Sequence, residues 1–425
     1  MACGCVSMYS FDFEVNGICY NIESMDDLTA EVTSGIDYVG DIVIPEEVIY
    51  KKRNLKVTKI GANAFNGCRK LTSLVLPSTI KMIDMWAFNK CSRLKKINIP
   101  SSVLKVAKGA FDGCSSLEEI IIEDGEDDLN LEYSGYNNIN LDGGNLRGKH
   151  IFDDCPLKKI YVGRNLKFNW NACYGWSPFF NKEFLTSVEI GNQVDFLHVG
   201  LFRNCTALTE IIIPNSVRFI RGDAFYGCTN LTNITIGDSV EEMGDYAFRY
   251  CSNLKQMIIP HSVEKIGIGC FMDCENLESI SIGNKLKVLN DGLFSRCKNL
   301  KNIEIGNSLS KICYDVFSTC DNLANIKIHS QTPPECLSGF PTKTYLEAIL
   351  YIPEGTLSLY QKSKIWKDFW EIREFVTSKI ENHFVGNKYN ESKVIYTTQG
   401  TKMNVSREHL PAGIYIQGGK KFIVK

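Results

Sequence analysis

Ten cysteines in this chain each stand three residues after a phenylalanine: Cys68, Cys91, Cys114, Cys155, Cys205, Cys228, Cys251, Cys274, Cys297 and Cys320. A thiol at a fixed distance from an aromatic ring is a redox group, a metal ligand or a piece of core, and its neighbours separate these. Zinc is held by Cys-x-x-Cys pairs or Cys/His clusters, and the chain contains no Cys-x-x-Cys. The total of 17 cysteines is odd, so complete pairing within one chain is excluded. The six histidines, His150, His198, His261, His329, His383 and His409, are scattered, with no His-Glu-x-x-His. Gly143 to Lys149 has phosphate-loop spacing, but His150 replaces the hydroxyl residue that would hold magnesium, and the turn Phe152 to Cys155 follows in place of a long helix. No Gly-x-Ser-x-Gly elbow or nucleophile–base pair is present. The chain therefore reads as a non-enzyme, with no catalytic residue, metal or cofactor.

The elements that position these cysteines follow from the period. From Phe202 to Phe317 the step is 23 residues each time, as it is for Phe65, Phe88 and Phe111. A degenerate copy at Phe179 carries Lys182 in the cysteine place and brings the total to eleven rungs. Within one rung, Ile211 and Ile213 alternate like a half-buried strand and Pro214 turns the chain. Val217 and Ile220 re-enter the core, and Ala224-Phe225-x-x-Cys228 suits a short helix or 3₁₀ turn. Phe225, Cys228, Leu231, Ile234 and Ile236 mark the core of such a unit.

No rung buries this apolar surface alone, but stacked rungs do, each strand pairing with the next at about 4.8 Å. The expectation is a solenoid on the order of 50 Å long, with one long parallel sheet on one face. The rung cysteines then form one core column of structural thiols behaving as small hydrophobes. Disulfides between rungs are the alternative, allowed by distance but strained by parallel side chains. A second column, Thr79, Ser102, Asn165, Ser216, Ser239, Ser262 and Ser308, offers hydrogen bonds to the turn backbone.

Leu-x-x-Ile-x-Ile-x-x-Ser-Val is close to the leucine-rich repeat signature. The rung Ser-Val-x-x-Ile-Gly-x-x-Ala-Phe-x-x-Cys-x-x-Leu resembles the BspA-like bacterial leucine-rich repeat family over roughly residues 11 to 375. The less regular stretches Ile122–Leu131, Cys155–Leu166 and Ser177–Phe180 also resemble members of that family. The resemblance implies an α/β, β-rich leucine-rich repeat solenoid found on Bacteroidetes and spirochaete surfaces and in some protist parasites. It further implies an extracellular or cell-surface, adhesin-like protein that takes a protein or glycoprotein ligand, host matrix included. A structural spacer without its own ligand is the alternative. Leu410-Pro-Ala-Gly-Ile-Tyr415 resembles the close of a Bacteroidetes secretion sorting tail.

Composition narrows the partners. The 425 residues carry a formal charge of -2, with 47 basic side chains interleaved among 49 acidic ones. No basic tract marks a nucleic-acid footprint, and no apolar window is long enough for a transmembrane segment. A monomer is expected.

The domain reading assigns 1–10 to a leader remnant or disordered start, in which Cys3 or Cys5 is the lipidation candidate. Residues 11–56 read as a β cap with a hairpin at Asn16-Gly17 and a second strand pair around Lys51–Asn54. The solenoid spans 57–328, irregular with an insertion at 118–184; the C-terminal cap spans 329–376 and a small β module 377–425. In the cap, Thr356 is expected to N-cap a short helix, and Trp366, Phe369, Trp370 and Ile372 to form an aromatic plug. On the strands, the second and fourth residues after Leu point outward. The ligand-facing candidates are the large apolar members of that set, Ile121, Tyr161, Ile212 and Ile258, with Tyr133, Tyr136 and Arg147 of the insertion.

Overall fold

The computed structural model describes residues 11–35, 37–132, 150–168 and 177–376, together with the backbone of four strands between 395 and 424. Met1–Val376 and Thr377–Lys425 are two compact units.

The larger unit opens with the hairpin Phe13–Val15 and Ile18–Ser24, joined by Asn16 (φ 50°) and Gly17 (φ 76°). Two consecutive left-handed residues make the turn whose twist matches antiparallel strands. Thr29–Val32 pairs antiparallel with this hairpin and parallel with Arg53–Ile60, which also takes Glu47–Tyr50 antiparallel. The cap thus converts an antiparallel edge into a parallel one on which the first rung stacks.

Each regular rung has three sides. The first is a four-residue strand such as Glu210–Ile213, and the second a two-residue strand such as Phe219–Ile220. The third is a series of three-residue-spaced hydrogen bonds, Tyr226 N to Asp223 O (3.0 Å) and Cys228 N to Phe225 O (3.1 Å) among them. No described rung carries a helix there; in the regular run from Phe202 to Phe294 each turn bonds forward to the next rung, as Phe225 N does to Ala247 O (2.8 Å). Described helix is confined to the C-terminal cap.

Long strands stack in parallel, with Ile211 opposite Ile234, Ile280 opposite Ile303 and Ile303 opposite Ile326. One continuous sheet was the expectation; the ladder instead lapses after Val75, Gln193 and Ile236, giving four sections. The second lapse follows an irregular pair of rungs. Register shifts between Val162 and Arg164, where a Cβ on Gly163 would lie 2.4 Å from the Asp124 amide.

The core is a column of rings. Centroids lie 4.7 Å apart from Tyr38 to Phe65 and 5.2 to 5.9 Å apart through the eleven rung phenylalanines, and Phe340 continues the column 4.9 Å beyond Phe317. Burying each ring contributes about 1.5–3 kcal/mol. Phe225, Cys228, Leu231 and Ile236 are buried, whereas Ile234 is only partly buried against the same core. Outside the core, neighbouring rungs are tied by ion pairs one period apart, such as Arg218–Glu241 (2.9 Å), Lys298–Glu275 (2.8 Å) and Lys301–Glu278 (3.2 Å). In the polar column, Thr79, Ser102 and Ser262 donate to the carbonyls of Val57, Ile80 and Val240 of the preceding rung.

The far end is closed by Trp366, whose Nε1 donates to Pro334 O (2.8 Å), and by Phe369, both buried beside Phe340. Two expectations need correction here. Trp370 is 83% exposed, because its backbone, held to Tyr345 O, turns the ring outward. Thr356 precedes helix Leu357–Lys362 but donates its hydroxyl back to Pro353 O; the Leu357 amide is capped by Glu374 Oε1 (2.8 Å). The smaller unit is an antiparallel sheet ordered Lys402–Met403, Ile395–Thr397, Gly413–Gln417 and Lys420–Val424. The sorting-tail stretch belongs partly to this sheet, and Leu410 to Ala412 lie outside the described residues.

Candidate functional site

The repeated thiol is the first candidate for chemistry, and its geometry gives it a different task. Cys228 Sγ lies 3.2 Å from the carbonyl oxygen of Phe202 one rung back, and Cys251, Cys274 and Cys297 repeat the contact to Phe225, Phe248 and Phe271 at 3.1–3.3 Å. That carbonyl has two lone pairs; one takes the amide of the cysteine in its own turn, the other the thiol of the next rung. Burial pushes the thiols up, Cys205 and Cys320 to about 12 and Cys228, Cys251 and Cys297 well above their ordinary value. A thiol that stays protonated is a poor nucleophile and a poor metal ligand. Every described cysteine is a free thiol. Among the described residues no three His, Cys, Asp or Glu side chains are grouped to hold a metal. The column is therefore a ladder of weak donors and not only small hydrophobes.

On the outer face of the long strands, the register sets Asn98, Ile121, Tyr161 and Glu189 side by side. Ile212 and Ile258 hold the same rung position on two later sections of the ladder, 50% and 43% exposed, with Thr235 beside the first and Ser281 beside the second. The four apolar candidates are thus one adjacent pair and two isolated side chains. Tyr161 is half-buried, and its hydroxyl donates to Asp124 Oδ1 (2.6 Å). Burial, then this carboxylate, raises its pKa. Glu189, near the same Asp124, is raised by burial and by that like charge. Tyr133, Tyr136 and Arg147, the Gly143–Lys149 stretch, and Cys3 and Cys5 lie outside the described residues. The first part of the insertion is built into the fold, Leu129–Leu131 pairing with Lys105–Val106 and Leu166–Phe168.

The turn side holds a constellation that the sequence reading missed. Arg203, Tyr226 and Arg249 occupy one column, 23 residues apart; Tyr250, Asp273 and Arg296 occupy the next. The Arg203 guanidinium stacks 3.7 Å from the Tyr226 ring centre and pairs with Asp223 at 2.9 Å. Arg249 lies over Tyr250 (4.6 Å) and Tyr246 (5.4 Å) and shares Asp273 with Arg296. Tyr226 and Tyr250 meet edge to face at 5.3 Å. This ridge borders an open groove of about 690 Å³ that crosses four rungs, where Arg221, Lys265 and Lys287 face the carboxylates of Asp223, Glu242, Asp245 and Glu264. The available signal was the step itself, since aromatic and arginine residues recur at the first and second positions after the rung phenylalanine.

A comparison with protein families matches the BspA type leucine rich repeat region, in six copies, over residues 56–178, 175–301 and 264–341, more than half of the chain. The chain belongs to this family. Among solved structures, this BspA-type chain is similar to a leucine-rich repeat protein from Bacteroides ovatus ATCC 8483, with 25% identity over 86% of this chain and 100% of that one and a TM-score of 0.48. A leucine rich cell surface protein from Faecalibacterium prausnitzii A2-165 is 22% identical over 85% of this chain and 94% of its own, with a TM-score of 0.38. The leucine rich repeat protein of T. pallidum is 20% identical over 72% and 87%, with a TM-score of 0.25. No curated protein matches the chain. Among the described residues of this BspA-type repeat protein, no helix is long and apolar enough to cross a membrane.

Proposed function

We propose that this BspA-type protein is a secreted or cell-surface binding protein whose repeat stack presents a rigid surface to a protein or glycoprotein ligand. The observation that carries this reading is the outer column of the long strands. It exposes Ile212 and Ile258 on strands whose alternate residues are locked in the core. Large apolar groups held rigidly in water lower the entropy cost of association. The buried, protonated thiols add nothing that turns over a substrate, which favours binding over catalysis. Membership of the family supports display at the surface, and the sorting-like tail is consistent with export. Protease treatment of intact cells making the full-length protein tests the location: loss of the protein supports display, and full protection contradicts it.

The spacer reading draws on the inter-rung ion pairs, which use many surface charges to hold the stack together. A binding screen of the full chain against matrix proteins, mucins and glycans separates the two, because a spacer gives no saturable binding.

A further inference from the structure

We propose that the last strand of the repeat stack, Glu371–Phe375, is a docking edge for a second copy of this chain, the two strands pairing antiparallel about Ile372. This goes beyond the ligand reading and uses the end of the stack instead of its outer face.

Among the described residues this edge is open. Glu371–Phe375 pairs parallel with Ile349–Pro353 on one side and ends its sheet, with no described strand on the other. The Glu354 amide donates to the Phe375 carbonyl at 2.9 Å. Alternate residues of a parallel strand direct both backbone groups to the same neighbour, so Glu371 and Arg373 face inward as Phe375 does. Ile372 and Glu374 then turn their N–H and C=O groups outward, a template for another strand. Exposure agrees with this. Ile372 and Glu374 lie opposite Leu350 and Ile352, which are fully buried, yet Ile372 is only half-buried and Glu374 is exposed. Trp370, 83% exposed, and Val376, 70% exposed, flank the strand.

Charge complementarity selects the occupant and its register. Glu371 and Arg373 share one face of the strand, and Arg373 Nε donates to Glu371 Oε1 at 2.6 Å. The neighbouring strand Ile349–Pro353 carries no charge. An edge charged with one sign repels its own copy, but this pair carries both signs. A two-fold axis at Ile372 sets Glu371 of each copy opposite Arg373 of the other. It also sets Ile372 opposite Ile372, where the outward backbone groups exchange both hydrogen bonds. Axes at Glu371, Arg373 or Glu374 put a charge opposite its own copy, which destabilises a sheet pair. In the Ile372 register, Glu374 meets Trp370, and its carboxylate already accepts the Leu357 amide. The C-terminal cap as a whole holds five cations and six carboxylates, so no excess of one sign opposes a second copy.

The experiment is sedimentation velocity of the full chain over about a hundredfold range of concentration. The expected result is a monomer–dimer equilibrium. Arg373→Glu and Glu371→Arg should each weaken the dimer at least tenfold, with an unchanged melting temperature because both side chains lie at the surface. The combined swap Glu371→Arg/Arg373→Glu restores opposite charges across the axis and should recover the parent affinity to within about threefold. Ile212→Lys/Ile258→Lys should leave the dimer unaltered. A monomer at every concentration, a dimer insensitive to the single reversals, no recovery in the swap, or loss of the dimer in the Ile212 and Ile258 variant overturns the proposal. A failure here leaves the outer-face ligand reading standing, since that reading is tested by binding to immobilised ligands and not by self-association.

Discussion

The ammonium of Lys182 donates to the carbonyl oxygen of Phe152, the service that a cysteine thiol performs for the equivalent carbonyl in the other rungs. One degenerate position thus shows what the column requires: a donor aimed at a buried oxygen. Burial lowers the pKa of Lys182, so this substitute is a costly one.

Cys251→Ala is predicted to destabilise by about 1–2 kcal/mol, combining a small cavity with a carbonyl that loses one donor. Cys251→Ser, which keeps a donor, should cost less than Cys251→Val, which does not. Urea unfolding of the three variants gives the order; a valine variant as stable as the serine one refutes the donor role.

The thiols also set an alkaline limit. Their folded pKa values are raised above the ordinary 9.0, two of them to about 12. Stabilisation is therefore complete below pH 9, where thiols of folded and unfolded chains are both protonated, and it is lost as pH rises from 9 towards 12. Melting temperature should fall over that window, and more steeply than in a variant with the rung cysteines replaced by serine, in which the lysines discharge alike. A flat profile from pH 8 to 11 contradicts the assignment.

At the acid side His150 and Glu304 carry large shifts. Burial, then the charge of Lys182, lowers His150 from 6.5 to about 4. The folded chain keeps it neutral while the unfolded chain protonates it, so stability falls between pH 6.5 and 4 by on the order of 3 kcal/mol. Glu304, bonded by His329 and then Lys327, is lowered from 4.5 to about 2, so its contribution is present above pH 4.5 and lost towards 2. His150→Phe should flatten the first limb and Glu304→Gln the second, as read by thermal melts across pH.

Packing predictions separate neighbours that look alike in sequence. Trp366→Ala should cost about 3–5 kcal/mol, while Trp370→Ala should stay within about 0.5 kcal/mol. Gly269→Ala meets both a φ of 55° and the Tyr246 ring. It should destabilise by about 1–3 kcal/mol, and part of the loss should be recovered in the Tyr246→Ala background. Chemical denaturation of single and double variants checks both.

How much of this was legible depended on whether local spacing carried the information. The rungs, the Asn16-Gly17 hairpin and the buried cysteine column were readable because period and turn chemistry are properties of the chain itself. Phe340 was readable too, standing 23 residues after Phe317, but Lys343 replaces the expected cysteine and the motif ends there. Tyr38, which starts the ring column, is 27 residues before Phe65 and follows no step, so only the folded cap brings it there. Trp366 and Trp370 differ by one turn of backbone that no residue type announces. On the outer face, the strand alternation put Ile121, Tyr161, Ile212 and Ile258 at the same position of their rungs, but only Ile212 and Ile258 are exposed there, and Ile121 and Tyr161 are partly buried. It could not show that Tyr161 is tied to Asp124, a contact made across 37 residues.

The most direct test of the binding account is surface plasmon resonance of the full-length chain over immobilised matrix proteins, mucins and glycans, run beside Ile212→Lys/Ile258→Lys. The account predicts saturable binding to at least one of them, weakened at least tenfold, about 1.4 kcal/mol, in the double variant with its melting temperature unchanged. Absence of saturable binding to any of them, or equal affinity in the variant, contradicts it.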